Sequence, residues 1–278
     1  MSFWNAVLFG LVQGITEFFP VSSSAHLSVL FNLFGITGAG YNAQMFSVFL
    51  HFGTLLAAVI SFWGDFGEIF FQIFDFAADS SSPEKKTRRS YFGVRMLIMM
   101  LFASLPLAML LPLNDSVNEL FNSNLHIGVM LVLSGTIVYI AGQFREGKKT
   151  ERNMEISDAL VIGICQMVSA IPGISRTGTV MTACLAVGCS REFGVKFSVM
   201  LSAPVMLIAN IIHAFEAASL PFSFSDVPLC LVGMAVSCAA GVISIRLLKK
   251  IIKNGRFNWF SYYSWVAGVI FIILTMIF

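Results

Sequence analysis

Charge is what this chain of 278 residues lacks. Only 12% of its residues are Asp, Glu, Lys or Arg, against 57% hydrophobic, and its mean hydropathy is +0.83. Soluble domains carry roughly 25% charged residues, so a water-soluble fold is excluded and an all-α integral membrane protein is expected. Lys and Arg are missing altogether from 113–125 and 217–227. Elsewhere they form short clusters beside hydrophobic spans rather than an aromatic-interleaved patch, so no nucleic-acid partner is expected. Cysteine is sparse and has no CxxC spacing. Cys165, Cys184, Cys189, Cys230 and Cys238 all stand in apolar segments, the setting of buried free thiols rather than of disulfides or a metal site. Met1–Val12 holds no basic stretch of the kind that opens a cleavable signal, and none is expected.

What the chain has in quantity is long apolar runs, rich in Phe (28) and Met (14). Six are long enough to cross a bilayer, near 43–63, 92–112, 126–144, 196–216, 228–248 and 259–278. Two more, 3–34 and 156–190, are interrupted midway by polar residues. Basic residues crowd three loops: Lys85 to Arg95, Arg145 to Arg152 and Arg246 to Arg256. By the positive-inside rule these are cytoplasmic. Region 156–190 must then return to the side it came from, and region 3–34 belongs to the opposite side. Both read as re-entrant helical hairpins, because irregular backbone at membrane depth is tolerated only inside protein or beside a wet cavity. The result is a single membrane domain of two repeats, about 1–145 and 153–278, each a hairpin plus three spans. Three is odd, so the second repeat is inverted. Phe46-Ser-Val-Phe-Leu50 and Phe197-Ser-Val-Met-Leu201, at nearly the same offset from their hairpins, support the duplication.

The interruptions are themselves alike. The first reads Gly10-Leu-Val-Gln13 onward to Glu17-Phe-Phe-Pro20-Val-Ser22-Ser23-Ser24-Ala-His26. The second reads Gly163-Ile-Cys-Gln166 onward to Pro172-Gly173-Ile-Ser175-Arg176-Thr177-Gly178-Thr179. Ionisable residues at membrane depth are costly, and in inverted repeats broken helices place the ligand site near the midplane. Gln13 and Glu17 share a helix face at i, i+4. Glu17 needs a cation, a metal or a donor beside it; alternatively it serves only to lock the hairpin. His26 is read with Glu17 and Ser23 as one site, the structural alternative being a satisfied core histidine. Pro20 ends the first helix and Ser22, Ser23 or Ser24 caps the next. Pro172-Gly173 does the same in the second hairpin, with Ser175 as the cap. A cap does not account for Arg176, whereas a phosphate or carboxylate ligand does, since its guanidinium binds oxyanions bidentately. Thr177 and Thr179 add donors, unless they bond back to i−4 carbonyls. Together these groups suit an anionic, phosphorylated ligand and phosphoryl-transfer chemistry.

Both motifs resemble those of the undecaprenyl-diphosphate phosphatase family, known also for bacitracin resistance. Gln13-Gly-Ile-Thr-Glu17 and Pro20-Val-Ser22-Ser23-Ser-Ala-His26 resemble its acidic and serine–histidine stretch. Pro172-Gly173-Ile-Ser175-Arg176-Thr-Gly resembles its Pro-Gly-x-Ser-Arg turn. The resemblance covers essentially the whole chain. It implies hydrolysis of the terminal phosphate of a C55 polyprenyl diphosphate, bacitracin competing for the same lipid, and a divalent cation, Mg2+ or Ca2+. It implies Glu17 and Gln13 as the metal-binding pair, Ser23 as nucleophile with Ser22 beside it, and His26 as acid or base. Ser24, Gly173, Ser175, Arg176, Thr177 and Thr179 are the expected diphosphate contacts. The chain departs from the pattern in having Gln13 as the weaker variant and Val180 where the family's last Thr falls. A neighbouring hydroxyl, Thr179, would point about 100° away on the helix. Residence in a bacterial inner membrane is implied, and a homodimer is compatible with the sequence. The rival readings are a lipid-phosphate transporter or flippase, which would use the same groups without cleavage, and a membrane scaffold, which leaves Glu17 and Arg176 unexplained.

The topology has a direct test. Met1 and Phe278 are expected outside, and the loops at Lys85, Lys148 and Lys253 inside. Single cysteines placed there in a cysteine-free variant should resist an impermeant label in intact cells at the three loops. Labelling at position 85 or 148 from outside would refute the layout.

Overall fold

A computed structural model describes residues 1–36, 43–78, 92–110, 123–218 and 223–277. The described residues are helical, with one isolated bridge between Lys149 and Cys189. In chain order the helices are α1 (Phe3–Phe18), α2 (Ser23–Leu33), α3 (Ala43–Ser61), α4 (Trp63–Ala78), α5 (Phe92–Ala108) and α6 (Asn124–Gln143). Then come α7 (Ile156–Met167), α8 (Arg176–Ala186), α9 (Arg191–Ala218), α10 (Val227–Lys253) and α11 (Asn258–Ile277). Each expected span is helical over most of its described residues. Five stretches, at α3, α6, α9, α10 and α11, are long and apolar enough to cross a membrane, and the described part of α5 is slightly shorter. This is a multi-pass membrane protein. The basic loop at 80–89, most of 113–125, residues 219–222 and Phe278 lie outside the described residues. Helix α4 was not expected. Its length sits between a span and a loop, and its Asp65 and Glu68 interrupt the apolar run, yet Trp63, Phe70, Phe71 and Phe74 are exposed on it.

Both interrupted regions fold as helix–break–helix pairs, α1–α2 and α7–α8, broken where Pro20 and Pro172 stand. Polar caps begin the helices. Ser2 Oγ accepts from Asn5 N at 3.2 Å, and Asp158 accepts from Glu155 N at 2.9 Å. Ser175 Oγ accepts from Gly178 N at 3.1 Å. Each cap satisfies an N–H that would otherwise be unpaired at the helix start.

Helix α1 packs on α10, α7 on α5, α6 on α11 and α3 on α9. Small residues permit the approach. A Cβ at Gly10 would stand 2.6 Å from Gly233 O, and one at Gly14 2.5 Å from Ser237 O. Across α6 and α11, a Cβ at Gly135 would stand 3.0 Å from Ser261 O, and one at Gly268 2.8 Å from Gly128 O. Without water to drive apolar contact, membrane helices associate through such close packing.

Basic residues gather at one end. Arg95 Nη2 donates to Met154 O at 2.5 Å, Lys149 Nζ to both carboxylate oxygens of Asp158 at 2.8 Å, and Lys196 Nζ pairs with Asp65 at 2.5 Å. The hydrogen bond to Asp158 raises the Lys149 ammonium above its ordinary lysine value. That contribution to stability is complete below the ordinary value and fades as pH rises through the raised one.

Replacing Gly10 by Ala should lower stability by about 1–3 kcal/mol, because the added methyl meets backbone on α10 that has no rotamer to yield. Thermal unfolding in detergent checks this. A melting curve equal to that of the unaltered protein would show that α1 and α10 can separate without cost.

Candidate active site

The two breaks touch. Gly173 N donates to Ser24 Oγ at 3.2 Å, and Thr177 Oγ1 donates to the Glu17 carbonyl at 3.0 Å. Beside this junction lies a cavity of about 470 Å³. Glu17, Ser22, Ser23, Ser24, Ser175 and Arg176 face it, and its apolar walls come from α5 and α9, among them Leu107, Val205 and Ile208. It extends to Leu110, His213 and Glu216, towards the ends of α5 and α9 opposite the basic cluster.

Glu17 is the centre of the first break. Its Oε2 accepts from Ser23 Oγ at 2.7 Å and from Gln13 Nε2 at 3.0 Å. The i, i+4 spacing on α1 brings Gln13 to it, and the turn through Pro20 folds Ser23 back over it. Gln13 is fully buried, and its Oε1 has no hydrogen-bond partner. Ser22, the α2 N-cap, has φ 67° and is the one non-glycine at positive φ among the described residues. Such a conformation costs about 1–3 kcal/mol and marks sites where surrounding structure holds a strained backbone. In the second break the corresponding backbone freedom comes from Gly173, at φ 98°. Its added Cβ would also meet Met130 at 2.7 Å.

Arg176 opens α8, directly after the capping Ser175, and its guanidinium borders the cavity. Its Nε is buried with no hydrogen-bond partner. A buried, unpaired guanidinium donor is expensive, and an oxyanion in the cavity would satisfy it.

The other expected contacts divide. Ser24 borders the cavity but also accepts the Gly173 N–H. Gly173, Thr177 and Thr179 stand behind the wall: Thr177 ties α8 to α1, and Thr179 Oγ1 donates back to Ser175 O at 2.8 Å. Their structural roles come from the hairpin junction and the helix backbone. His26 is also elsewhere. Its Nδ1–H donates to Ser22 O at 2.7 Å, and its Nε2 meets Tyr263 OH at 2.7 Å, with the two rings stacked at 5.7 Å. The structure therefore does not join His26 to Glu17 and Ser23 in the cavity. Its bonds to Ser22 O and to Tyr263 OH turn the ring to the α11 side, although the i, i+3 spacing leaves His26 and Ser23 on neighbouring positions of α2.

Residues not anticipated from sequence border the cavity instead: His51 on α3, Ser104 on α5, Ser169, and His213 with Glu216 on α9. His213 Nδ1 lies 3.0 Å from Glu216 Oε2, which also accepts from Gln44 Nε2 at 2.8 Å. His26 was singled out by its place beside Ser23 and Glu17; His51 stands outside both interruptions, and only the general cost of an ionisable group within an apolar span could have pointed to it.

No group of three or more His, Cys, Asp or Glu gathers as a metal cage among the described residues. What is present is one carboxylate facing a cavity, flanked by hydroxyls. That donor set fits a hard ion of the magnesium kind, which binds through one or two carboxylates and takes its remaining ligands from phosphate and water.

The family model for "Bacitracin resistance protein BacA" matches residues 6–270. This chain belongs to that family. It is 32% identical to the undecaprenyl-diphosphatase of Methanosphaera stadtmanae over 98% of both chains. It is 31% identical to that of Halothermothrix orenii over 100% of both, and 34% identical to that of Desulforapulum autotrophicum over 98% of both. Glu17, Ser23, Ser175 and Arg176 all fall inside the matched span and all meet at one cavity.

The strain at Ser22 yields a prediction. Ser22→Ala keeps the positive φ and loses the cap, so stability should fall by about 1 kcal/mol. Ser22→Gly adopts φ 67° freely and, as a fair cap itself, should match or exceed the original stability. Thermal unfolding of the two variants should separate them in that order, and the reverse order would mean that the turn is not strained.

Proposed function

We infer that this protein is a membrane phosphatase that hydrolyses undecaprenyl diphosphate to the monophosphate and inorganic phosphate. The observation that carries this is the meeting of Glu17, Ser23 and Arg176 at one cavity in a chain that matches the family along its length. The relatives described above are named as diphosphatases, which gives the transporter reading no support.

The cavity's chemistry divides by wall. Arg176, with the N–H groups opening α8, binds diphosphate oxygens and neutralises charge that grows on them in the transition state. Apolar side chains of α5 and α9 take the first isoprene units. Ser23, aligned by its hydrogen bond to Glu17, attacks the terminal phosphorus or orients the water that does. If it attacks, Glu17 is placed to receive its proton. Glu17 would also hold the divalent cation, whose chemistry is to neutralise phosphate charge and so ease departure of the leaving group. Gln13 supports that carboxylate from behind through its amide N–H. His26, tied to Ser22 O, holds the strained turn that presents Ser22 and Ser23.

The proposed placement follows from the same features. Spans α3, α5, α6, α9, α10 and α11 cross the inner membrane of a bacterium, and α1–α2 and α7–α8 enter from opposite faces without crossing. Two inverted repeats are supported by the exchange of partners, α1 on α10 matching α7 on α5, while α6–α11 and α3–α9 pair with their own counterparts. With the basic end in the cytoplasm, both termini and the cavity mouth lie on the outer side. Bacitracin, acting there, would compete for the same lipid.

Purified protein in detergent should release phosphate from undecaprenyl diphosphate, lose that activity in chelator and regain it with magnesium or calcium. The metal titration should shift with substrate concentration, because substrate oxygens complete the coordination. Arg176→Lys should lose nearly as much as Arg176→Ala, about 2–4 kcal/mol of transition-state stabilisation, since a point charge cannot replace the bidentate fork. Absence of phosphate release by the unaltered protein would overturn the reading, and near-normal turnover by the Lys variant would remove the clamp from it.

A further inference from the structure

Two histidines lie near the breaks, and their surroundings differ in one respect. Both donate Nδ1–H to the carbonyl four residues back, His26 to Ser22 O at 2.7 Å and His51 to Ser47 O at 2.8 Å. That bond sets the tautomer: with Nδ1 protonated, neutral imidazole presents a lone pair at Nε2. In His26 the Nε2 atom is taken by Tyr263 OH. His51 lines the cavity shared with Glu17, Ser23 and Arg176, and among the described residues its Nε2 makes no hydrogen bond.

The position of His51 is held by its helix. Ser237 Oγ donates to Leu50 O at 2.9 Å from α10, and Thr54 Oγ1 donates to His51 O at 2.9 Å. Gly53, two residues on, lets α10 lie against α3, where a Cβ would stand 3.1 Å from Ser237 Cβ. A side chain fixed at its backbone and at one ring nitrogen, on a residue that lines a reaction cavity, has the arrangement of a general base.

We propose that His51 is the base that takes the proton of the hydrolytic water, a proposal that rests on the phosphatase reading. The water oxygen forms a bond to phosphorus while its proton passes to His51 Nε2. The bond from phosphorus to the departing oxygen breaks, and its electron pair leaves with undecaprenyl monophosphate, or with Ser23 Oγ if a phosphoserine forms first. The imidazolium then returns its proton to solvent through the cavity mouth. Both routes consume one water, so the role is the same whichever operates.

The test is the pH dependence of kcat for phosphate release from undecaprenyl diphosphate at saturating magnesium. The unaltered protein should show an acidic limb, because protonated imidazole cannot accept a proton. His51→Gln should lower kcat about 100-fold or more, leave KM within about threefold, and abolish that limb. His51→Gly should regain turnover with added imidazole, a recovery that a folding defect would not allow. His26→Gln should keep the acidic limb whatever its rate. The proposal is overturned if His51→Gln retains the limb, if the limb disappears in His26→Gln instead, or if only KM changes. A thermal melt of each variant separates loss of fold from loss of chemistry. No phosphate release by the unaltered protein would overturn the phosphatase reading itself, and this base with it.

Discussion

The site depends on a half-buried carboxylate facing the cavity between the two breaks. Glu17 is stabilised by donors from its own hairpin, Gln13 Nε2 at 3.0 Å and Ser23 Oγ at 2.7 Å. Those bonds require the chain to reverse within a few residues, which sets the break at Pro20 and the positive φ at Ser22. Glu17, Ser22 and Ser23 all line the cavity. The groups that hold the half-buried carboxylate are thus the groups that would do chemistry with it.

The second break contributes what the first lacks. Arg176 brings positive charge to the same cavity, and its buried Nε has no hydrogen-bond partner among the described residues, which leaves a donor for an anion. The breaks reach each other because short polar groups lock them together: Ser24 with Gly173, and Thr177 with the Glu17 carbonyl. Glycine at the α1–α10 and α6–α11 contacts brings the surrounding helices into close approach. Specialisation follows from this division. The hairpins carry the polar chemistry, and α5 and α9 supply apolar walls suited to an isoprenoid chain.

Much of this was legible from residue order. Low charge and six apolar runs indicated a multi-pass helical protein, and the described residues of each run form a helix over most of its length. The repeated polar interruptions located the two breaks, because proline and clustered hydroxyls within an apolar run allow few other readings. Periodicity alone placed Gln13 beside Glu17. Helix α4 was missed because two acids within its first six residues make an amphipathic helix resemble the start of a loop.

Side-chain direction was not legible in the same way. His26 is close to Ser23 in sequence, but its bonds to Ser22 O and the Tyr263 hydroxyl hold the ring away from the cavity. Thr177 and Thr179 offer hydroxyls of the expected kind, yet their partners are the Glu17 carbonyl and the Ser175 carbonyl. His51, His213 and Glu216 enter the cavity from helices far along the chain, through the packing of α3 and α9 around the hairpins. Sequence by itself determined which segments are helical, where the apolar runs break and which polar residue types stand at the breaks, because these depend on local composition and period. Only the tertiary structure decided which of those polar atoms share one volume, because that depends on helix rotation and on contacts between distant segments.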